Sequence, residues 1–332
     1  MRTLALVFFI IVALGFDFTN GFHDAANAVA VSITTRALRP LAALGMAAGL
    51  NVVGALVSTK VAATVGKGII ATPAGTHGLL VVFAALIGGI TWNLLTWSLG
   101  LPSSSTHALI GGLIGAALGS STAVLWHGVV SKVVLPMFAS PVIGLLVGYL
   151  VMVAILWVFR RARPILVNRR FRNGQVFSTG AMAFSHGTQD AQKTMGLITL
   201  ALVTTGHLSH FEVPYWVILA AATAMGLGTL VGGWRIIRTL GNRITPLDPP
   251  RAFAAQSSAS AVLLTSAYVY AMPVSSTHVM TSSIMGAGAT RRLSAVRWGT
   301  AQQIAFAWLL TLPGAALFAW TTYQIAYAIV GH

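Results

Sequence analysis

Acidic side chains are rare in this chain, yet two of them stand seven positions apart in one apolar stretch. The 332 residues include only five Asp and Glu, and the stretch GFDFTNGFHDAANAVA, Gly15 to Ala30, contains Asp17 and Asp24. A carboxylate inside a bilayer costs about 2.5 to 3.5 kcal/mol, and such residues mark ion pathways or binding sites. Carboxylate and amide oxygens suit hard cations such as Na⁺. The spacing therefore predicts a cation site within the membrane.

The stretch has a second copy in the chain. TNGFHDAANA at 19–28 aligns with SHGTQDAQKT at 185–194, so that Asp24 matches Asp190, whereas Asp17 matches Ala183. If the cation is Na⁺, Asp24 and Asp190 are the expected metal ligands. Lys193, one turn from Asp190, either neutralises that carboxylate or meets an anion. The candidate cation ligands of both copies are Asp17, Asn20, His23, Asp24, Gln189 and Asp190.

A second pair of motifs carries hydroxyl groups. LPSSSTHALIGGLIGA at 101–116 aligns with MPVSSTHVMTSSIMGA at 272–287. In each, Pro interrupts the incoming helix and a new helix follows, so its free N–H groups and positive dipole end predict an anion site. Alternatively, these hydroxyls only pack helices or bond to their own backbone. His107 and His278 follow the hydroxyls as ligand donors or structural residues. The candidate anion ligands here are Ser104, Ser105, Thr106, Ser275, Ser276 and Thr277.

Composition indicates the elements that must position these residues. Hydrophobic residues make up 56% of the chain and charged residues 8%, against about 25% charged in ordinary soluble domains. Several apolar windows approach the roughly 20 residues that a membrane helix needs. They do not alternate as barrel strands would. We expect an all-α integral membrane protein with about ten membrane-embedded segments. The clearest windows are Leu41–Ser58, Gly78–Leu99, Met137–Phe159, Tyr215–Trp234 and Ala252–Met272.

Basic residues cluster between these windows and not on one surface. The formal charge of +15 therefore reflects cytoplasmic loops under the positive-inside rule and not a nucleic-acid interface. The resulting topology predicts a first repeat at 1–159, a basic cytoplasmic connection at 160–177 and a second, inverted repeat at 178–332.

Three local expectations accompany this topology. Leu125–Leu135 must not cross the membrane, because a crossing there would change the parity. Thr300–Ile329, which contains Pro313, is one kinked span or two short ones. The acidic N-terminal segment is interpreted as a broken membrane helix in preference to a cleaved signal peptide.

Inverted repeats with interrupted helices are typical of secondary transporters that alternate access to a midplane site. An anion beside carboxylates would be repelled, so cations must accompany it. A permease for sulfate or another oxyanion remains an alternative. An intramembrane hydrolase using Ser, His and Asp is a remote one, since catalysis needs a single asymmetric constellation and these residues are duplicated. We therefore expect no enzyme and no cofactor.

At these motifs the sequence resembles the inorganic phosphate transporter (PiT) family. The signature copies are GFHDAANA and GTQDAQKTMG, and the likeness includes SITTRALRP and both hydroxyl motifs. The resemblance implies symport of inorganic phosphate with Na⁺ or H⁺. It adds Asn27, Gln192 and Lys193 to the phosphate candidates. His23 and Gln189 stand where the family usually has Asn, which leaves the coupling ion open and tilts it slightly toward protons.

The same interpretation predicts where the protein resides and what it meets. We expect a multi-pass protein of the cell membrane, in a bacterial inner membrane, with phosphate, the coupling cation and lipid as its partners. No nucleic acid is expected among them, and a homo-oligomer is left open.

Overall fold

The structure is a computed structural model that describes residues 2–73 and 75–330, and the named elements of these residues are all helices. The first half contains α1 (Arg2–Thr34), α2 (Pro40–Val57), α3 (Lys60–Lys67), α4 (Gly75–Leu99), α5 (Ser105–Gly119), α6 (Trp126–Val129) and α7 (Leu135–Val158). The second half contains α8 (Pro164–Thr204), α9 (Tyr215–Val231), α10 (Trp234–Arg238), α11 (Pro249–Thr265), α12 (Ser276–Ala289) and α13 (Trp298–Val330). The prediction of an all-helical protein is confirmed.

Proline and a carboxylate set several helix starts. α2, α8 and α11 each have Pro in the first turn, where its fixed φ suits a helix and its missing N–H costs nothing. Asp248 caps α11, because its carboxylate accepts a hydrogen bond from the backbone N–H of Arg251 at 3.0 Å. Three π-helical turns, Val130–Val134, Thr239–Arg243 and Ser266–Tyr270, adjoin α6, α10 and α11.

Helix length and composition fit an integral membrane protein. Among the described residues, five helices are long and apolar enough to span a membrane, and α9 together with the bent segment after it would make a sixth. The longer helix α8 and the segments α11, α5 and α12 pack among these spans, which brings the membrane-embedded segments to about ten. The five spans are Thr3–Thr34, Pro40–Val57, Gly75–Leu99, Trp126–Val158 and Trp298–Ile329.

The two halves present the same order of elements and exchange packing partners. Each half begins with a long helix that carries an Asp motif, followed by a second helix and a short helix. A fourth helix then ends at a segment outside the α-helices, which we call a break, and a helix with hydroxyls at its start and a final long helix follow. α2 of the first half packs on α8 of the second, and α9 packs on α1. In the same way α5 packs on α13, and α12 packs on α7. The halves are therefore interlocked.

Small residues permit these close approaches. A Cβ atom on Gly21 would collide with the backbone carbonyl of Met225 in α9, and one on Gly187 with that of Asn51 in α2. Small residues at helix contacts let backbones come near each other inside a membrane. The glycines of both Asp motifs thus fix the distance between the exchanged helices.

Both interrupted helices predicted from the Pro-Ser motifs are present. α4 ends at Leu99 and is followed by Gly100 with φ of 67°, and Ser104 then caps α5 by accepting the His107 backbone N–H. In the second half the break begins at Ala271, with φ of 48°. Ser275 caps α12 by accepting the backbone N–H of residue 278.

The structure shows the form of the N-terminal helix, of the stretch 125–135 and of the C-terminal helix, and it corrects the expectation for the first of these. α1 runs unbroken from Arg2 to Thr34, so the interpretation as a broken helix is wrong. His23 contacts α4, and Asp24 and Asn27 contact the first turn of α12, so these polar side chains are accommodated without a break in the backbone hydrogen bonds of α1. The stretch 125–135 forms the start of the helix that continues through α7, so it makes no separate crossing. α13 passes through Pro313 as one helix, and most of the basic segment 160–177 belongs to α8.

Candidate ion and anion site

Two aspartates from the two halves meet between α1 and α8. The Nε2 atom of His186 lies 3.0 Å from Asp190 Oδ2 and 4.0 Å from Asp24 Oδ2. All three side chains are buried, and one ligand atom from each lies within 4.8 Å of the others. This imidazole thus lies between the two carboxylates, nearer to Asp190 than to Asp24. The three residues form a group that could hold a cation.

The first turn of α12 points its hydroxyls at this pair. Thr277 Oγ1 donates to Asp24 Oδ1 at 3.3 Å, and Ser276 Oγ donates to Asp190 Oδ2 at 3.4 Å. The Asn27 amide nitrogen donates to both hydroxyl oxygens, at 2.9 and 3.3 Å. Its amide oxygen is buried and has no partner among the described residues. The predicted hydroxyl and carboxylate ligands are therefore neighbours here.

Lys193 forms an ion pair with Asp190. Its Nζ lies 2.8 Å from Asp190 Oδ1, and both side chains are almost completely buried. The pair is spaced i, i+3 on α8, which brings the two side chains to one face of the helix. At the matching place on α1 stands Asn27, which is uncharged. The two halves of the site therefore differ by one positive charge.

The hydroxyls before α5 connect to the site through His23. His23 Nδ1 lies 2.7 Å from Asp24 Oδ1, and its Nε2 lies 3.1 Å from Thr96 Oγ1 and 3.4 Å from Ser103 Oγ. The hydroxyls of Thr96 and Ser103 are 2.8 Å apart. A chain of polar contacts therefore links the Asp24 carboxylate to the break between α4 and α5.

The first turns of α5 and α12 approach each other. The rings of His107 and His278 have centroids 4.8 Å apart, and His278 stacks on Trp308 of α13 at 4.0 Å. Ser105 Oγ and His278 Nδ1 and Nε2 are buried without a partner among the described residues. Thr106 is buried beside them on the same turn of α5. Two helix N-termini, each with free N–H groups and a positive dipole end, thus face one region.

Gln192 has a different place from the one predicted. Its amide oxygen accepts hydrogen bonds from the backbone N–H groups of Val61 and Ala62, at 2.7 and 3.2 Å, and its amide nitrogen donates to the Thr188 carbonyl. The amide oxygen is therefore occupied, and one of the two amide N–H groups donates within α8. We infer from these contacts that Gln192 holds the start of α3 and is not a phosphate ligand.

The remaining cation candidates divide between two places. Gln189 donates to the Leu263 carbonyl at 3.1 Å and keeps a buried amide oxygen without a described partner. Asp17 and Asn20 lie nearer the start of α1 than Asp24 does, and both are buried without a hydrogen-bond partner among the described residues. His186 was absent from the predicted site residues. Its only signal in the sequence was its position inside the second Asp motif, where the first motif has Asn20.

Comparison of the sequence with protein families identifies the family of this chain. Residues 20–319 match the model described as "Phosphate transporter family". The chain belongs to the phosphate transporter family. It is an integral membrane protein of that family, and because phosphate transporters are not enzymes the hydrolase alternative is set aside.

Relatives along the whole chain agree with this membership. A protein of Mycobacterium bovis named "Probable low-affinity inorganic phosphate transporter" is 46% identical, over 100% of this chain and 80% of its own length. Proteins with the same name from Bacillus subtilis and Rhizobium meliloti are 41% and 45% identical, each over 96% of its own length.

A solved structure has the same fold. The structure titled "The sodium-dependent phosphate transporter" superposes with a TM-score of 0.88, covering 98% of this chain and 100% of that chain at 24% identity. At this identity the likeness supports the fold alone.

Proposed function

We propose that this protein carries inorganic phosphate across the cell membrane of a bacterium by symport with cations, H⁺ or Na⁺. The observation that carries the proposal is the meeting of Asp24 and Asp190 with the hydroxyls of Ser276 and Thr277 at the start of α12. Family membership supplies phosphate as the anion, in preference to sulfate or another oxyanion. Carboxylates attract cations and a helix start attracts an anion, so one buried site can take both.

Charge explains why the cations must accompany phosphate. With neutral histidines, Asp24 and Asp190 contribute two negative charges and Lys193 one positive charge, which leaves the buried group negative before any anion arrives. Adding phosphate at low dielectric would be strongly repulsive. Cations bound at the two carboxylates reverse the sign of the site. Binding of the anion then depends on binding of the cations, which is the requirement for coupling.

The anion would be held by groups that carry little or no charge. Hydroxyls of Ser105, Thr106, Ser276 and Thr277 and the free N–H groups of α5 and α12 can donate to oxyanion oxygens. The capping residues Ser104 and Ser275 can donate as well, since their oxygens act only as acceptors in the caps. The amide of Asn27 and the ammonium of Lys193 complete the proposed set.

Alternating access follows from the two interlocked, pseudo-equivalent halves. Sites at the interface of inverted repeats open first to one side and then to the other as the repeats move. In this proposal 1–159 and 178–332 are the two inverted repeats, and 160–177 is their cytoplasmic connection. The breaks before α5 and α12 are the places where each side would open.

Reconstituted liposomes test the proposal. Labelled phosphate uptake is measured under an imposed Na⁺ gradient and, separately, under an imposed pH gradient. We expect accumulation under at least one gradient, and we expect Asp24→Asn and Asp190→Asn each to abolish it. Glu212→Gln is the control, because Glu212 is exposed in the loop between α8 and α9.

Two results would contradict the proposal. Uptake at the wild-type rate in both aspartate variants would remove the assigned cation role. Uptake of labelled sulfate at a rate similar to that of phosphate, with each anion competing for the other's uptake, would move the assignment toward a general oxyanion permease.

A further inference from the structure

Asp17 lies at a buried position of α1 two turns before Asp24, within electrostatic range of Asp190 and Lys193 but without an ion pair to Lys193. Seven residues separate it from Asp24, which is about 10 Å along the helix axis. The side chain of Asp17 is fully buried. Neither carboxylate oxygen has a hydrogen-bond partner among the described residues. A buried carboxylate with no partner is costly, so this place must hold a proton or a cation.

The contacts between α1 and α4 define which residues face Asp17. Gly89 of α4 lies against the ring of Phe16, and Thr96 Oγ1 lies 3.1 Å from His23 Nε2. Between these two contacts α1 and α4 each advance by seven residues. The helices therefore run parallel and in step along this stretch, and residues between the contacts can be paired by level.

Asn20 and Asn93 form such a pair. Asn20 precedes His23 by three residues, and Asn93 precedes Thr96 by three residues. Residues three or four apart share a helix face, so each asparagine points toward the other helix. Both are fully buried, and none of their amide oxygens and nitrogens has a described partner. Asn20 thus lies one turn from Asp17 on α1, and Asn93 lies at the level of Asn20 on α4.

α8 closes the third side of this place. The hydroxyl of Thr194 in α8 lies near the Asp17 carboxylate, and it is buried without a hydrogen-bond partner among the described residues. Lys193 is the nearest possible neutraliser, but its ammonium is paired with Asp190 at 2.8 Å. No Lys, Arg or His nitrogen of the described chain lies within 4.0 Å of the Asp17 carboxylate. Its charge is left without a protein partner.

We propose that Asp17, Asn20, Asn93 and Thr194 bind one Na⁺ ion at a site separate from the Asp24–Asp190 pair. The four side chains offer carboxylate, amide and hydroxyl oxygens, which are ligands for a hard cation. A single positive charge neutralises the single carboxylate. A divalent cation would leave an excess charge buried at low dielectric, which is unfavourable.

The second half offers no equivalent site. Ala183 stands at the position matching Asp17, and Ala28 stands at the position matching Thr194. The Na⁺ site is therefore present once per chain. This site would give one of the co-transported ions a separate binding position. The binding of Na⁺ does not depend on the transport proposal; only the statement that this ion is carried with phosphate rests on it.

The test measures Na⁺ binding without phosphate. Purified wild-type protein, Asp17→Asn, Asn93→Leu and Asp24→Asn are equilibrated with labelled Na⁺ at fixed pH, with choline chloride holding the ionic strength. We expect Asp17→Asn to bind one Na⁺ fewer per chain than wild type. Asn93→Leu should weaken the same site about tenfold or more, as loss of a supporting ligand does at metal sites. Asp24→Asn should keep it.

Because Na⁺ binding is measured without phosphate, failure of this site can be distinguished from failure of the transport proposal. Size-exclusion profiles show whether each variant is folded, and Asn93→Leu gives a second variant without a change of charge. Equal Na⁺ binding by wild type and Asp17→Asn would overturn the site. Absence of Na⁺ binding, together with a carboxylic-acid infrared band that disappears in Asp17→Asn, would overturn it in favour of a proton. Failure of phosphate uptake with Na⁺ binding intact would count against the transport proposal alone.

Discussion

Single positions in the Asp motifs differ in role between the two halves. His186 lies between Asp24 and Asp190, whereas Asn20 at the matching position lies one turn from Asp17 on α1. Lys193 carries a charge where Asn27 donates to hydroxyls. Alignment of the motifs identifies equivalent positions, but it does not show that each half has adapted them differently. The site is asymmetric at the level of its residues.

Replacement of Gln192 should affect the stability of the protein and not its affinity for phosphate. Gln192→Leu should lower the stability of the protein by about 2 kcal/mol, because it leaves the buried N–H of Val61 without its acceptor, while the N–H of Ala62 keeps the Thr59 carbonyl. The KM for phosphate uptake should be unchanged, since the amide does not reach the anion in our assignment. Thermal unfolding in detergent measures the first quantity, and liposome uptake measures the second.

Gln303 on α13 is exposed, so Gln303→Leu is the matched control and should leave the unfolding temperature in place. A large increase in KM for Gln192→Leu at unchanged stability would return Gln192 to the anion ligands.

Short helices contact each break in the long helices. Thr64 of α3 donates to the Ala271 carbonyl at 3.0 Å, and Thr239 in the turn after α10 donates to the Gly100 carbonyl at 2.8 Å. Gly100 and Ala271 both have positive φ and stand at matching places before α5 and α12. Each break is therefore held by a threonine from the other half of the chain.

We predict that these threonines hold the two sides of the transporter closed. Thr239→Val should weaken closure at the break before α5 by about 1 kcal/mol, or roughly fivefold in population, because one hydrogen bond to a buried carbonyl is lost. The native chain contains no cysteine, so Leu101→Cys can be labelled without background. Its labelling by a membrane-impermeant maleimide should rise in the Thr239→Val background.

Thr64→Val is the matched control for this experiment. It should raise labelling of Met272→Cys at the other break and leave labelling of Leu101→Cys unchanged. An increase at both positions with either variant would indicate general loosening and would contradict two separate contacts.

Sequence patterns predict the long elements better than the short ones. Hydropathy indicates the apolar spans, and Pro followed by hydroxyls indicates both breaks. α3 was not predicted, because eight residues give too little periodicity and so short a helix is unstable alone. Its start depends on Gln192, which is distant in sequence. The continuity of α1 was also missed, since polar residues in an apolar helix suggest a break unless their partners on α4, α8 and α12 are known.

The whole molecule is held together by exchange between its halves. Each long helix with an Asp motif packs on the second helix of the other half, and each helix after a break packs on the other half's final helix. The repeats that the sequence predicts at 1–159 and 178–332 are not separate packing units, because these contacts combine elements from both. Internal alignment detects the repeats, and only contacts between distant residues reveal the exchange.

This exchange predicts that neither half is stable alone. In a chain divided within the exposed turn between α7 and α8, after Arg161, the fragments 1–161 and 162–332 should each be degraded or aggregate when expressed separately. Each alone would expose the small-residue faces that pack against the other half, such as Gly21 and Gly187. Co-expressed in one membrane, they should co-purify through an affinity tag on one fragment and restore phosphate uptake. A first fragment that purifies alone with a sharp thermal transition would show that the halves fold independently and would contradict the interlocked assembly.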